Sequence, residues 1–304
     1  MKTYTIECIP NVSSADPDLI EDITAAIMGF KDVDLRFVDP GHSVNRTVFT
    51  YLGPVESVLS ATAELIRIAL AYINMEHQKG IHPRMGAVDV CPFVLLDDSI
   101  NEEHLIERVR EFSAEIGERF ALPIYNYEQS ATRKERENLA DVRRGQYEGL
   151  AARFERGDLP DHGPQEWNEA AREHGATAMG VRSLMVAYNI NLTGRPNKEL
   201  KPIAEKMAVA LREKNSGLPG VKAIAWYLPE FDIVQVSCNL TKPFEAGVCE
   251  VFDYARSLAK SFGCDAPSSE LIGCIPRSQF TTYTEEELGF GQFKPFNESR
   301  ILPL

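Results

Sequence analysis

Val33-Asp34-Leu35-Arg36-Phe37-Val38-Asp39, then Pro40-Gly41-His42-Ser43-Val44-Asn45, then Arg46-Thr47-Val48-Phe49-Thr50-Tyr51-Leu52 is the stretch that decides the fold. Two runs rich in β-branched and aromatic residues flank a turn-rich link, which predicts an antiparallel strand pair. A helix is predicted on each side of the pair. Asp18–Met28 spaces Leu19, Ile20, Ile23, Ala26 and Ile27 along one face, and Val55–Ile73 is a longer amphipathic run. Thr3–Pro10 reads as an opening strand and Gly86–Leu96 as a closing one. The order is βαββαβ, extended by a helix at Glu102–Phe120 and a strand at Pro123–Tyr127.

The same order returns further along. Met185–Leu192 reads as a strand, Asn197–Asn215 as a helix, and Val221–Tyr227 with Ile233–Asn239 as a strand pair. Ala246–Phe262 then reads as a helix and Ser269–Ile275 as a closing strand. The expected fold class is therefore α/β, with two ferredoxin-like βαββαβ subdomains over residues 1–178 and 179–304. The topology repeats although the residues do not. Between the halves, Arg133–His174 shows no strand pattern. A connection that long is usually functional. It suggests a ligand cleft between the subdomains.

Composition narrows the function classes. With 44% hydrophobic and 25% charged residues among 304, the chain is globular and not disordered. Its net charge of −13 argues against a nucleic-acid partner. The excess acid all lies in residues 1–178, so an anionic ligand would need a local basic pocket. No run approaches a membrane span, and Glu7 stands where a signal peptide would be apolar. A soluble cytoplasmic protein is expected. Cys8, Cys91, Cys238, Cys249, Cys264 and Cys274 form no CxxC pair, and buried thiols fit them better than disulfides or zinc.

Three clusters carry polar residues suited to chemistry. His77-Gln78-Lys79-Gly80-Ile81-His82-Pro83-Arg84-Met85-Gly86 is a loop leading into a buried strand. An unperturbed histidine titrates near neutrality, so His82 is a candidate proton carrier, or else a loop histidine bonded to a backbone carbonyl. His77 and His82 do not match a zinc pair on a helix, and no metal is expected. Asp39, Asn45 and Arg46 frame the first strand pair, as ligands for a carboxylate or as turn caps. The third cluster is Gly163-Pro164-Gln165-Glu166-Trp167, then Gly175-Ala176-Thr177 and Gly180-Val181-Arg182. It reads as an aromatic loop beside a glycine-rich turn, suited to a flat heteroaromatic ligand or to a plain linker.

The chain resembles glutamate formimidoyltransferase, which in animals is the N-terminal part of formimidoyltransferase-cyclodeaminase. The likeness rests on Ile9-Pro10-Asn11-Val12-Ser13, Val38-Asp39-Pro40-Gly41, Asn45-Arg46-Thr47-Val48, the run from His82 to Phe93, and Tyr188-Asn189-Ile190-Asn191-Leu192. It continues through Val142-Arg143-Arg144-Gly145-Gln146-Tyr147-Glu148, Trp226-Tyr227-Leu228, Gln235-Val236-Ser237 and Glu270-Leu271-Ile272-Gly273. The resemblance implies two α/β subdomains with a folate tunnel, a catalytic histidine at His82 and an aspartate at Asp39. It also implies a folate-contacting loop over Gly163–Gly175, with Gly163, Pro164, Trp167, Gly175, Ala176 and Thr177 as candidate contacts. Ser14-Ala15 replaces the family's usual Glu-Gly. A homodimer is a further expectation, and the chain's end near residue 304 implies that the cyclodeaminase module is absent.

The implied reaction moves a formimino group from N-formimino-L-glutamate to N-5 of tetrahydrofolate, the co-substrate, and releases L-glutamate. The attacking nitrogen must lose a proton and the departing one must gain it. His82 can do both in turn, with Asp39 holding the cationic amidine. Arginine forks suit the substrate carboxylates, which nominates Arg46 and Arg84. Asn11, Asn45, Asn189 and Asn191 are the polar supports. Formyl transfer from 5-formyltetrahydrofolate to glutamate, and folate binding without turnover, are the alternatives.

Overall fold

The computed structural model describes residues 4–97, 100–292 and 295–304. Thr3, the expected first strand residue, lies outside them. The chain divides into two units, Met1–Arg182 and Ser183–Leu304.

In the first unit the opening strand comes as two pieces, β1 (Ile6–Cys8) and β2 (Asn11–Val12). Pro10 lies at the break, having no N–H to give the ladder. Helix α1 (Pro17–Met28) begins where Asp16 accepts from the backbone N–H groups of Asp18 and Leu19 at 3.0 and 3.2 Å. It buries Leu19, Ile23 and Ile27. Strands β3 (Asp34–Gly41) and β4 (Arg46–Gly53) form the expected antiparallel pair, with Asp39 opposite Val48 and Gly41 opposite Arg46. Helix α2 (Val55–Tyr72), strand β5 (Val88–Leu95), helix α3 (Glu102–Phe120) and strand β6 (Ile124–Asn126) follow. The order β3-β4-β1/β2-β5 is that of a split βαβ unit. Helices α1, α2 and α3 cover one face through Ile23, Leu65, Val109 and Phe112, packed on Ile6, Cys8, Phe49 and Phe93.

The run from Thr177 to Val181, expected as part of a glycine-rich turn, is instead a fully buried strand, β7. It lies parallel between β5 and β6. Both of its faces are covered, so it lacks the alternation that marks a half-exposed strand. Gly180 serves close packing there: a Cβ would sit 2.3 Å from the Tyr127 carbonyl oxygen.

The connection 133–174 belongs to this first unit. It holds three short helices, α4 (Leu139–Val142), α5 (Leu150–Glu155) and α6 (Glu169–His174). Val142 and Leu150 pack on Val90, Tyr125, Tyr127 and Ala178, on the sheet face away from α1–α3. Arg136 and Arg153, both buried, lie over the Tyr125 ring at 4.8 and 4.3 Å. Both also pair with Asp158, and Arg136 pairs with Asp161. These pairs of two buried arginines with Asp158 and Asp161 fasten the segment to the sheet.

The second unit repeats the order in its simplest form. Strand β8 (Val186–Thr193), helix α7 (Asn197–Leu211), strands β9 (Val221–Leu228) and β10 (Ile233–Leu240), helix α8 (Val248–Ser261) and strand β11 (Asp265–Ile272) make a sheet in the order β11-β8-β10-β9. Helix α7 ends at Leu211, and a 3-10 turn over Glu213–Asn215 completes the expected helical run. Strands β12 (Ile275–Pro276) and β13 (Ile301–Leu302) add a short parallel pair. Both units thus carry the expected ferredoxin-like topology.

Candidate active site

The loop from residue 73 to residue 87 has no regular structure, yet it is pinned from several directions. Met75 N–H donates to the Glu173 carbonyl at 2.7 Å and Ala87 N–H to the His174 carbonyl at 2.9 Å. Asn45 donates its amide to the Lys79 carbonyl at 2.6 Å, and the Gln78 amide donates to the Ser13 carbonyl at 3.0 Å. Tyr147 N–H reaches the Arg84 carbonyl at 3.0 Å. Gly86 closes the loop against Gly175 and Ala176, where a Cβ would stand 2.3 Å from the Ala176 carbonyl oxygen. No side chain fits there.

Held in this way, His82 meets a buried charge network. Its Nδ1 lies 2.7 Å from Arg46 Nη1 and 2.7 Å from the Pro83 carbonyl oxygen. Arg46 Nη1 also donates to the Pro83 carbonyl at 3.0 Å, and Arg46 Nε donates to Asn11 Oδ1 at 3.0 Å. Arg46 Nη2 makes a short contact with Asp89 Oδ2. Arg143 Nη2 lies 2.6 Å from the same Asp89 oxygen and makes a short bond to the Pro83 carbonyl. The other Asp89 oxygen accepts from Met85 N–H at 2.7 Å. Asp89 is 0% exposed and Arg46 5%. Burial favours a neutral Asp89 carboxyl, but the two guanidiniums outweigh it and hold its pKa below the usual range.

Two arginines on one aspartate leave one positive charge in excess. His82 feels it. Burial, and then the Arg46 charge, push its pKa down to about 3. The expectation of a histidine titrating near neutrality is therefore corrected for the protein without ligand: His82 is a neutral imidazole at physiological pH.

Of the residues proposed from sequence, Asn11, Arg46 and His82 are brought into one hydrogen-bonded chain. Asp39 is buried on β3 and shares a sheet face with Arg46 through the ladder, but the carboxylate bonded to Arg46 is Asp89. Asn45 adopts φ +50° and links two loops. Arg84 turns to Gln78 Oε1 at 2.7 Å and Glu148 Oε1 at 2.7 Å, with its guanidinium 5.9 Å from the Tyr147 ring centre.

The remaining candidates lie elsewhere. Trp167 packs on Tyr147 and Phe154, with ring centres 6.1 and 5.4 Å away. Gly163 and Pro164 line an open depression of about 340 Å³ with Gly117, Ala121 and His162, against α3. Gly175 and Ala176 bridge to the His82 loop, while Thr177 Oγ1 donates to the Val88 carbonyl at 2.6 Å.

In the second unit, Asn189 and Asn191 belong to a buried polar network on the sheet face away from α7 and α8. Asn189 donates to Glu270 Oε2 at 3.1 Å and Asn191 to Ser268 Oγ at 2.9 Å. Gln235 donates to Asn191 Oδ1 at 2.8 Å and to Glu270 Oε2 at 3.0 Å, and accepts from Trp226 Nε1 at 2.9 Å.

Asp89 and Arg143 are the network members that the sequence reading did not single out. For Asp89 the signal was present: an acid inside the apolar run Ala87-Val88-Asp89-Val90-Cys91 must be paired once buried. No group of three or more His, Cys, Asp or Glu side chains suited to a metal occurs among the described residues.

A half-buried histidine wired to arginine, in a loop leaving a ferredoxin-like half, is an arrangement suited to moving a proton. Comparison with known proteins makes this specific. Residues 5–182 match the formiminotransferase domain, N-terminal subdomain, and residues 187–287 match the formiminotransferase domain. The chain belongs to the formiminotransferase family. It is 34% identical over 302 residues to a glutamate formimidoyltransferase of Streptococcus pyogenes serotype M1, covering 98% of each chain. It is 33% identical over 303 residues to one of Thermoplasma acidophilum, covering 98% of this chain and 95% of the relative. A formimidoyltransferase-cyclodeaminase of Dictyostelium discoideum is 35% identical over 279 residues, and there the match spans only half the relative's length.

Proposed function

We infer that this protein transfers the formimino group of N-formimino-L-glutamate to N-5 of tetrahydrofolate and releases L-glutamate, a step of histidine degradation. The observation that carries this is the 34% identity, over 98% of both chains, with a glutamate formimidoyltransferase. Tetrahydrofolate enters as co-substrate.

Tautomer decides what His82 can do. Arg46 only donates, so a bond from it to Nδ1 would leave the ring proton on Nε2. If the proton instead sits on Nδ1 and points at the Pro83 carbonyl, Nε2 holds the lone pair. Arg46 Nη1, 2.7 Å from Nδ1, is then a second donor and must turn from the ring onto that carbonyl. Base catalysis uses the second arrangement. N-5 attacks the amidine carbon and Nε2 takes the proton from the attacking nitrogen. The imidazolium so formed gives that proton to the departing amine as the carbon–nitrogen bond to glutamate breaks. Near Arg46 an imidazolium is a strong acid, so the second transfer is favoured and the first is the costly one. Carboxylates of the bound substrate would offset the surplus positive charge and ease the first.

Asp39 is proposed to face the cationic amidine. Arg84, Asn11, Asn45, Asn189 and Asn191 are proposed as substrate supports, and Gly163, Pro164, Trp167, Gly175, Ala176 and Thr177 as the folate segment. A homodimer and a cytoplasmic location belong to the same reading. They rest on the family resemblance and on six buried cysteine thiols. Formation of 5-formiminotetrahydrofolate and glutamate by purified protein given both substrates tests the proposal. Folate binding without product would refute it.

A further inference from the structure

We propose that Asp89 and Arg143 are positioning residues for the His82–Arg46 pair: Asp89 draws both guanidiniums onto one carboxylate oxygen, and Arg143 supplies the second positive charge beside the Pro83 carbonyl. The inference rests on the reading of His82 as the proton carrier.

Three observations support it. Arg46 and Arg143 share the same two acceptors, Asp89 Oδ2 and the Pro83 carbonyl oxygen, and His82 Nδ1 lies 2.7 Å from that carbonyl. Their placement is therefore one unit, and moving either arginine moves the atom that orients the ring. Second, Arg143 Nε is buried with no hydrogen-bond partner. Third, Asp89 is already paired with Arg46, so the half-buried Arg143 adds a second cation that repels the first. Stability alone does not call for it. A function that needs a positive charge does: it keeps His82 unprotonated until a carboxylate arrives.

The charged groups facing His82 are Arg46 from β4, Asp89 from β5 and Arg143 from the turn after α4. Arg84 is engaged with Glu148 and Gln78. Arg143 can thus be changed with a defined electrostatic consequence. In ¹⁵N-labelled protein the imidazole signal of His82, identified by its loss in His82→Asn, is followed from pH 8 to 4. Wild type should stay flat. Arg143→Gln removes one nearby like charge and should raise the midpoint by about one pH unit, so that the signal moves by pH 4.5. Arg143→Lys keeps the charge and should stay flat, while loss of the shared fork lowers kcat at least fivefold with little change in KM.

A flat His82 signal in well-folded Arg143→Gln, or Arg143→Lys with wild-type kcat, would overturn the proposal. Should Arg143→Gln not fold, the kcat of Arg143→Lys decides. If wild type makes no product at all, the proposed reaction fails while the titration still reports on the charge coupling.

Discussion

Glu7 offers the cleanest quantitative test of how the first unit is built. It sits in the middle of β1, opposite Leu52 and Val94, and is 4% exposed. Its neighbours Ile6 and Cys8 face the helices, so its carboxyl faces the other side of the sheet. Burial raises its pKa from 4.5 to about 7, against the weaker pull of Arg182 and Arg36. The sign of the consequence follows. A carboxyl with a raised folded pKa binds protons more tightly in the folded state, so stability falls as pH rises from 4.5 to 7 and the loss is complete above 7. At ~1.4 kcal/mol per tenfold change in proton affinity, the penalty reaches ~3 kcal/mol. Glu7→Gln abolishes this titration. Relative to wild type, the variant should gain nothing with pH below 4.5 and ~3 kcal/mol between there and pH 8. For a unit of this size that is a widening of the Tm difference by ~6–12 °C. Calorimetry of both proteins at pH 4.5, 6 and 8 is the assay. A Tm difference independent of pH would refute the argument, whatever its absolute size, because the amide's own packing cost does not titrate.

His82→Asn should lower kcat by ~10²–10⁴ while keeping the fold at pH 7. It should also remove a stability loss in wild type of up to ~1.4 kcal/mol per pH unit between about pH 6.5 and 3, where the unfolded histidine is protonated and the folded one is not; an unchanged pH–stability curve would contradict the neutral imidazole. Gly86→Ala should destabilise by ~2 kcal/mol or more, read by denaturant midpoint, since its Cβ meets backbone at 2.3 Å and backbone cannot yield. Trp167 fluorescence should be quenched by a reduced folate analogue in Trp226→Phe protein; bound analogue with an unchanged signal would remove Trp167 from the folate segment.

Most of the architecture was legible because its strands and helices keep clear periods. The pair around Pro40–Asn45, the helices at Pro17–Met28 and Val55–Tyr72, and the whole second unit follow from alternation and amphipathic spacing. What escaped has physical reasons. β7 is buried on both sides and carries Gly180 at its close approach to Tyr127, so composition mimics a turn. The segment after Arg133 is held by ion pairs of two buried arginines over Tyr125, which leave no hydrophobic period to read. At the site, His82, Arg46 and Asn11 stood out as polar residues in motif positions. Arg143 did not, because the contact that matters spans 60 residues, from its guanidinium to the Pro83 carbonyl, and local sequence carries no trace of it.

That long-range contact also changes how the histidine is understood. An isolated loop histidine would be half protonated near pH 6.5 and would carry protons with no help. Here the same side chain is placed where burial and Arg46 make protonation unfavourable by several pH units. A base so weakened is a poor choice for chemistry at neutral pH unless the field around it changes when substrate binds. The surplus positive charge of Arg46 and Arg143 over Asp89 supplies the means, because the proposed donor is itself a dicarboxylate. On the proposed reading, binding it would neutralise the cluster and strengthen the base in one event. Proton transfer is thereby tied to occupancy, and an empty site holds a histidine with little tendency to take up a proton. The proposed order is that the carboxylate arrives first, the imidazole gains basicity second, and the nitrogen attacks third.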